Sequence, residues 1–81
     1  MRPCPICKVK IDRHKFMCLM HWRMVPASLQ TAIQTAWDRY RHALRHKDHA
    51  RALTHGNELR FAQEQAIEDV KRLIEQQRGA A

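Results

Sequence analysis

The sequence predicts a mostly α protein: an N-terminal zinc knuckle with a short β-hairpin, treble-clef-like or zinc-ribbon-like, followed by an α-helical hairpin. Three observations carry this prediction. Two metal-ligand pairs lie close together near the N-terminus, apolar residues recur at helical period from residue 26 onward, and the chain has only 81 residues. At that length burial alone rarely yields more than roughly 3–5 kcal/mol, so a staple or a partner is expected. Apolar residues make up 44 % and charged residues 28 %, which is the composition of a globular chain rather than a disordered one.

The ligand pairs come first. Cys4-Pro5-Ile6-Cys7 is a C-x2-C pair, and Cys18-Leu19-Met20-His21 is a C-x2-H pair ten residues further on. Two side chains separated by two residues can converge on one ion from a tight knuckle or a first helical turn. Two such pairs supply the four tetrahedral donors that Zn2+ prefers, so Cys4, Cys7, Cys18 and His21 are the expected ligands. The odd number of cysteines argues against a closed disulfide framework, and a histidine ligand is uncommon in iron–sulfur sites. His14 is a rival fourth donor without a pairing partner. Four protein donors leave no open position for water or substrate, so the metal is expected to be structural, and no enzymatic activity is expected. Such a metal contributes folding free energy on the order of 10 kcal/mol. Free thiolates imply a reducing compartment, hence the cytoplasm.

The rest of the knob, residues 1–25, follows from the pairs. Pro3 and Pro5 stiffen the knuckle. Between the pairs Val9 and Ile11 alternate with Lys8, Lys10 and Asp12, and Phe16 follows a polar stretch. This reads as a hairpin, or two extended arms, carrying the first pair to the second. The second pair opens a short helical turn ending before Pro26, with Trp22 as a lid over the metal.

From Pro26 the period is 3.6. Pro26 suits a first helical turn, and Leu29, Ile33, Ala36, Trp37, Tyr40, Ala43 and Leu44 form one stripe. The stripe stops where Lys47 and Arg51 occupy the next core positions. Either the helix breaks near Lys47-Asp48 or it outruns its core. The second choice is preferred, giving a helix over about 26–54 with Gly56 as its cap. Asn57 then caps a helix over about 58–78, with Leu59, Ala62, Ala66, Ile67, Val70, Leu73 and Ile74 inward and Glu68–Arg72 as an exposed pair. The knob (1–25) and the helical hairpin (26–81) are expected to form one compact unit, with a frayed tail at Gly79-Ala80-Ala81. Phe61 departs from the pattern, projecting about 160° from the centre of its stripe among charged neighbours. Either the helix is irregular and Phe61 reaches the core, or it is a partner contact or homodimer seam.

Charge gives the functional direction. The chain carries +7 with six neutral histidines. Residues 1–24 hold six basic and one acidic side chain, residues 25–56 five and two, and residues 57–81 four and five. Lys8, Lys10, Arg13 and Lys15 surround the metal, and Arg41 and Arg45 lie opposite the apolar stripe. Such groups attract phosphates through counterion release, whatever the base sequence. His42, His46 and His49 fall at i, i+4 and i+7, which makes a second metal site conceivable. No apolar run approaches the roughly 18 residues of a membrane span, so no membrane partner is expected. No uninterrupted apolar core of a secretion signal opens the chain either, because Lys8, Lys10, Asp12 and Arg13 interrupt it.

The run Cys4-Pro5-Ile6-Cys7 … Met17-Cys18-Leu19-Met20-His21-Trp22 … Val25-Pro26 resembles small uncharacterised bacteriophage and prophage zinc-binding proteins. In that group the Cys and His residues look like zinc ligands, matching Cys4, Cys7, Cys18 and His21. The resemblance covers about residues 4–41 and implies a phage-borne accessory protein working in the cytoplasm of a bacterial host. The long extension after Leu44 departs from it. Asp12-Arg13-His14 faintly resembles the metal-finger nucleases, but their catalytic set is incomplete here. Two functions are therefore expected to compete. One is binding of DNA or RNA through phosphate contacts; the other is gripping an acidic host protein, with Phe61 and the helical hairpin carrying specificity.

Overall fold

The computed structural model describes residues 1–79. Its elements run β1 (Arg2–Pro3), β2 (Lys10–Ile11), α1 (Leu19–Trp22), α2 (Ala27–Arg45) and α3 (His49–Gly79). The protein is mostly helical with a short antiparallel N-terminal hairpin, as the sequence predicts. The chain divides into two compact units. One comprises Met1–Pro26 with the chain from Ala66 onward; the other is Ala27–Gln65. The last part of α3 is thus grouped with the knob and the rest of α3 with α2.

In the first unit the hairpin pairs Arg2 with Ile11 and Pro3 with Lys10. The strands therefore flank the Cys4–Cys7 knuckle; they do not carry the first pair to the second. The cause is local. The Cys4 amide donates to the Val9 carbonyl at 2.8 Å, the Lys8 amide donates to the Cys4 carbonyl at 3.0 Å, and Lys8 turns the chain back at φ 65°. Asp12 then makes its own turn, its carboxylate accepting from the His14 amide at 2.9 Å and its carbonyl from the Lys15 amide at 2.9 Å. The second pair opens α1, where the Cys18 carbonyl accepts from the Trp22 amide at 2.9 Å. Tighter bonds from Met24 to His21 and from Val25 to Trp22 close the turn before Pro26. Cys4, Ile11, Met17, His21 and Val25 are buried in this unit, together with Ala66 and Val70 of α3.

The second unit is an antiparallel helical pair. Tyr40 of α2 meets Gly56 of α3, while Leu29 and Ala36 share a groove with Ala62 and Gln65. The break lies at residues 46–48, so the preferred reading of one helix to residue 54 and another from 58 is corrected. Lys47 stands at φ 56°, the Lys47 amide donates to Leu44 at 3.1 Å, and the Asp48 amide donates to Ala43 at 2.9 Å. This is a Schellman end with lysine where glycine is usual. Asp48 also starts α3, its carboxylate accepting from the Arg51 amide at 3.1 Å. Gly56 is neither cap nor stop. A Cβ there would lie 3.2 Å from the Tyr40 ring, so glycine lets that ring pack against the helix.

Burial follows the predicted stripes only in part. Ile33, Ala36, Ala43, Leu59, Ala62, Ala66 and Val70 are buried, but Trp37, Leu44 and Leu73 are exposed. Arg72 pairs with Asp69 at 3.9 Å, where the expected partner is Glu68. Of the expected frayed tail, Gly79 is helical and Ala80 and Ala81 lie outside the described residues.

Candidate metal centre

The knuckle and α1 bring the two ligand pairs to one point. The donor atoms of Cys4, Cys7, Cys18 and His21 all lie within 4.8 Å of one another. Cys7 Sγ is 3.8 Å from Cys18 Sγ, and His21 Nδ1 is 3.2 Å from Cys18 Sγ and 3.9 Å from Cys4 Sγ. At bond lengths of about 2.3 Å to sulfur and 2.0–2.1 Å to nitrogen, a zinc tetrahedron has S···S edges of about 3.8 Å and S···N edges of about 3.6 Å. The observed separations match the first and bracket the second. They are far beyond the disulfide length of about 2.05 Å, and all three cysteines are free. The donor set therefore fits one tetrahedral ion, with His21 offering Nδ1.

Burial is graded across the site. Cys4 is fully buried and His21 nearly so, Cys18 is half-buried, and Cys7 faces solvent. Burial pushes the Cys4 thiol up, but backbone N–H groups of Cys18, Cys7 and Ile6, with the His21 ring, outweigh it and bring it down to about 6. At Cys7 the Val9 amide pulls the thiol down. Desolvation and the neighbouring Cys18 and Cys4 sulfurs prevail, leaving it above its ordinary value. The two thiols are thus shifted in opposite directions, Cys4 toward the thiolate and Cys7 toward the protonated form.

His14 takes no part. Its side chain is exposed and accepts from Arg13 Nε at 3.4 Å. Nor do the histidines of the second unit form a metal cluster, since the donors above are the single such group among the described residues. His42 and His46 stack with ring centroids 4.3 Å apart, but the break at 46–48 puts His49 on α3, so the supposed i, i+4, i+7 series is interrupted. Trp22, the expected lid, is half-buried beside His21.

The expected phosphate-contacting side chains are placed as follows. Lys8, Lys10, Arg13 and Lys15 are exposed on the knob, and Arg41 and Arg45 are exposed on α2, where they line a shallow groove with Asp38 and His42. No ion pair holds Lys8, Lys10, Lys15, Arg41 or Arg45 among the described residues. Phe61 does not reach the core; it is 70 % exposed on α3. Sequence reasoning missed its surroundings, a groove of about 760 Å³ lined by Leu29, Ala32, Ala36 and Ala62. It also missed Leu53, 68 % exposed. No helix of the described residues is long and apolar enough to cross a membrane. No family model, curated protein or solved structure matches the chain.

Proposed function

We propose that this is a small structural-zinc accessory protein that binds nucleic acid through phosphate contacts. The observation that carries the reading is the set of uncommitted cations: Lys8, Lys10 and Lys15 on the knob, and Arg41 and Arg45 on α2, exposed and in no ion pair among the described residues. Zn2+ held by Cys4, Cys7, Cys18 and His21 supplies structural cross-linking. The four protein donors support a non-catalytic role, and the reduced thiols suit a bacterial cytoplasm. Assignment to the phage and prophage group rests on the Cys/His spacing.

Duplex DNA titrated at increasing salt tests the reading. With five to eight phosphates contacted, the log–log slope of affinity against salt is roughly −4 to −7. Arg41→Glu with Arg45→Glu weakens binding strongly. Affinity unchanged by that pair, or insensitive to salt, defeats the proposal.

The exposure of Phe61 favours a second reading, an adaptor or inhibitor that grips an acidic host protein through this aromatic side chain. Pull-down from nuclease-treated lysate separates the two. A retained stoichiometric protein selects the adaptor, and loss of all partners selects nucleic acid.

A further inference from the structure

The second unit has its large and small apolar side chains in unusual places. Four of its six buried apolar residues are alanines, namely Ala36, Ala43, Ala52 and Ala62, beside Ile33 and Leu59. Larger apolar groups are outside, with Phe61 70 % exposed and Leu53 68 % exposed. An alanine seam allows close helix approach but removes little apolar surface from water, so the pair gains less from burial than its composition permits.

Around Phe61 the surface holds both halves of a self-complementary contact. Phe61 projects from α3. It lines the groove of about 760 Å³, together with small side chains of both helices: Ala32, Thr35 and Ala36 on α2 and Ala62 on α3. The rim carries one charge of each sign, Arg39 from α2 and Glu58 from α3. Among the described residues Arg39 has no ion pair, and Glu58 faces only the His55 ring, at 3.6 Å. A two-fold contact needs a projection and a hollow on the same patch, and a rim whose charges complement themselves after rotation. An acidic partner would instead be met by cations alone.

From this we infer that the face formed by Phe61 and the α2–α3 groove is a homodimer seam. Phe61 of each copy fills the hollow of the other, and Arg39 of one copy meets Glu58 of its mate. The occupant is a second copy of this chain, which covers the surface that the adaptor reading assigns to a foreign protein.

Sedimentation velocity of the metal-loaded full chain, across a micromolar concentration series, tests this. Twice the chain mass is expected at the upper end. Phe61→Ser should raise the dissociation constant by about 30-fold or more, the range for removing a buried aromatic anchor. Because Phe61 is exposed in the single chain, far-ultraviolet dichroism of the dilute variant should match the parent. Arg39→Glu and Glu58→Arg should each weaken the dimer, and the two together should restore it. This swap keeps the idea testable if Phe61→Ser folds poorly. A parent chain that stays monomeric overturns the inference, as does a dimer indifferent to Phe61→Ser or a double swap that fails to restore. A monomeric parent that loses a foreign partner on Phe61→Ser overturns it too, and leaves the adaptor reading standing.

Discussion

On the proposal that Cys4, Cys7, Cys18 and His21 hold zinc, stripping the metal with a strong chelator should unfold the N-terminal knob while α2 and the first turns of α3 stay helical. Among the described residues the knob's unit buries four large aliphatic side chains, Ile11, Met17, Val25 and Val70, beside the small Ala66. At roughly 1.5–3 kcal/mol each they contribute at most about 12 kcal/mol. Zinc held by three thiolates and an imidazole contributes on the order of 10 kcal/mol near neutral pH. One ion therefore rivals that unit's whole aliphatic core, and without it the ordering cost of two loops is unopposed. No ligand lies in Ala27–Gln65, so that helical pair loses nothing directly. Amide hydrogen exchange reads the outcome residue by residue. Protection should vanish at Cys4 and Trp22, whose amides donate at 2.8 and 2.9 Å in the folded knob, and persist between Ile33 and Arg45. Cys18→Ser should behave like the chelated protein. Unchanged protection at Cys4 and Trp22 after complete metal removal would falsify the view that the ion organises the knob.

Other measurements bear on the turn, the helix contact and the ligands. Lys47 at φ 56° is strained as a side-chain-bearing residue, so Lys47→Gly should stabilise by roughly 0.5–1 kcal/mol in urea denaturation. Asp48→Ala should cost about 1 kcal/mol through the lost bond to the Arg51 amide; equal stability would mean the helix break lies elsewhere. Gly56→Ala should fall short of the usual helix gain of about 1 kcal/mol, because its Cβ would meet the Tyr40 ring at 3.2 Å. The full gain should return when Tyr40 is also replaced by Ala, and additive effects would deny that contact. Zinc binds thiolates, and the Cys4 thiol at about 6 is already ionised at pH 7.5 while the raised Cys7 thiol is not. Affinity measured by chelator competition should therefore climb from pH 6 to beyond pH 8, with Cys7 releasing its proton on loading. A flat profile would contradict this ordering of the thiols.

The metal centre was legible because spacing alone constrains it: two side chains two residues apart converge whatever surrounds them. The mostly helical class was legible for a similar reason, since Ile33, Ala36 and Ala43 keep one phase. The helix boundary was not. Its Schellman end uses Lys47 in place of glycine, while the glycine that invited a stop, Gly56, answers a ring from another helix. Local propensity cannot register that long-range contact. The strand partners were misread because Lys8 reverses the chain at positive φ without glycine to signal it. Phe61 was flagged by phase, but the hollow beside it comes from two helices together and has no signature in either one.

The knob is stitched from both extremities of the described chain, since Ala66 and Val70 share its unit with the ligands. During translation the four donors leave the ribosome long before those two residues do. A nascent chain can thus capture its ion early and must wait for its hydrophobic backing. Cells short of the metal that the four donors would hold would accordingly expose the growing polypeptide to proteolysis and thiol oxidation during this interval, at a stage when the finished molecule's packing offers no shelter.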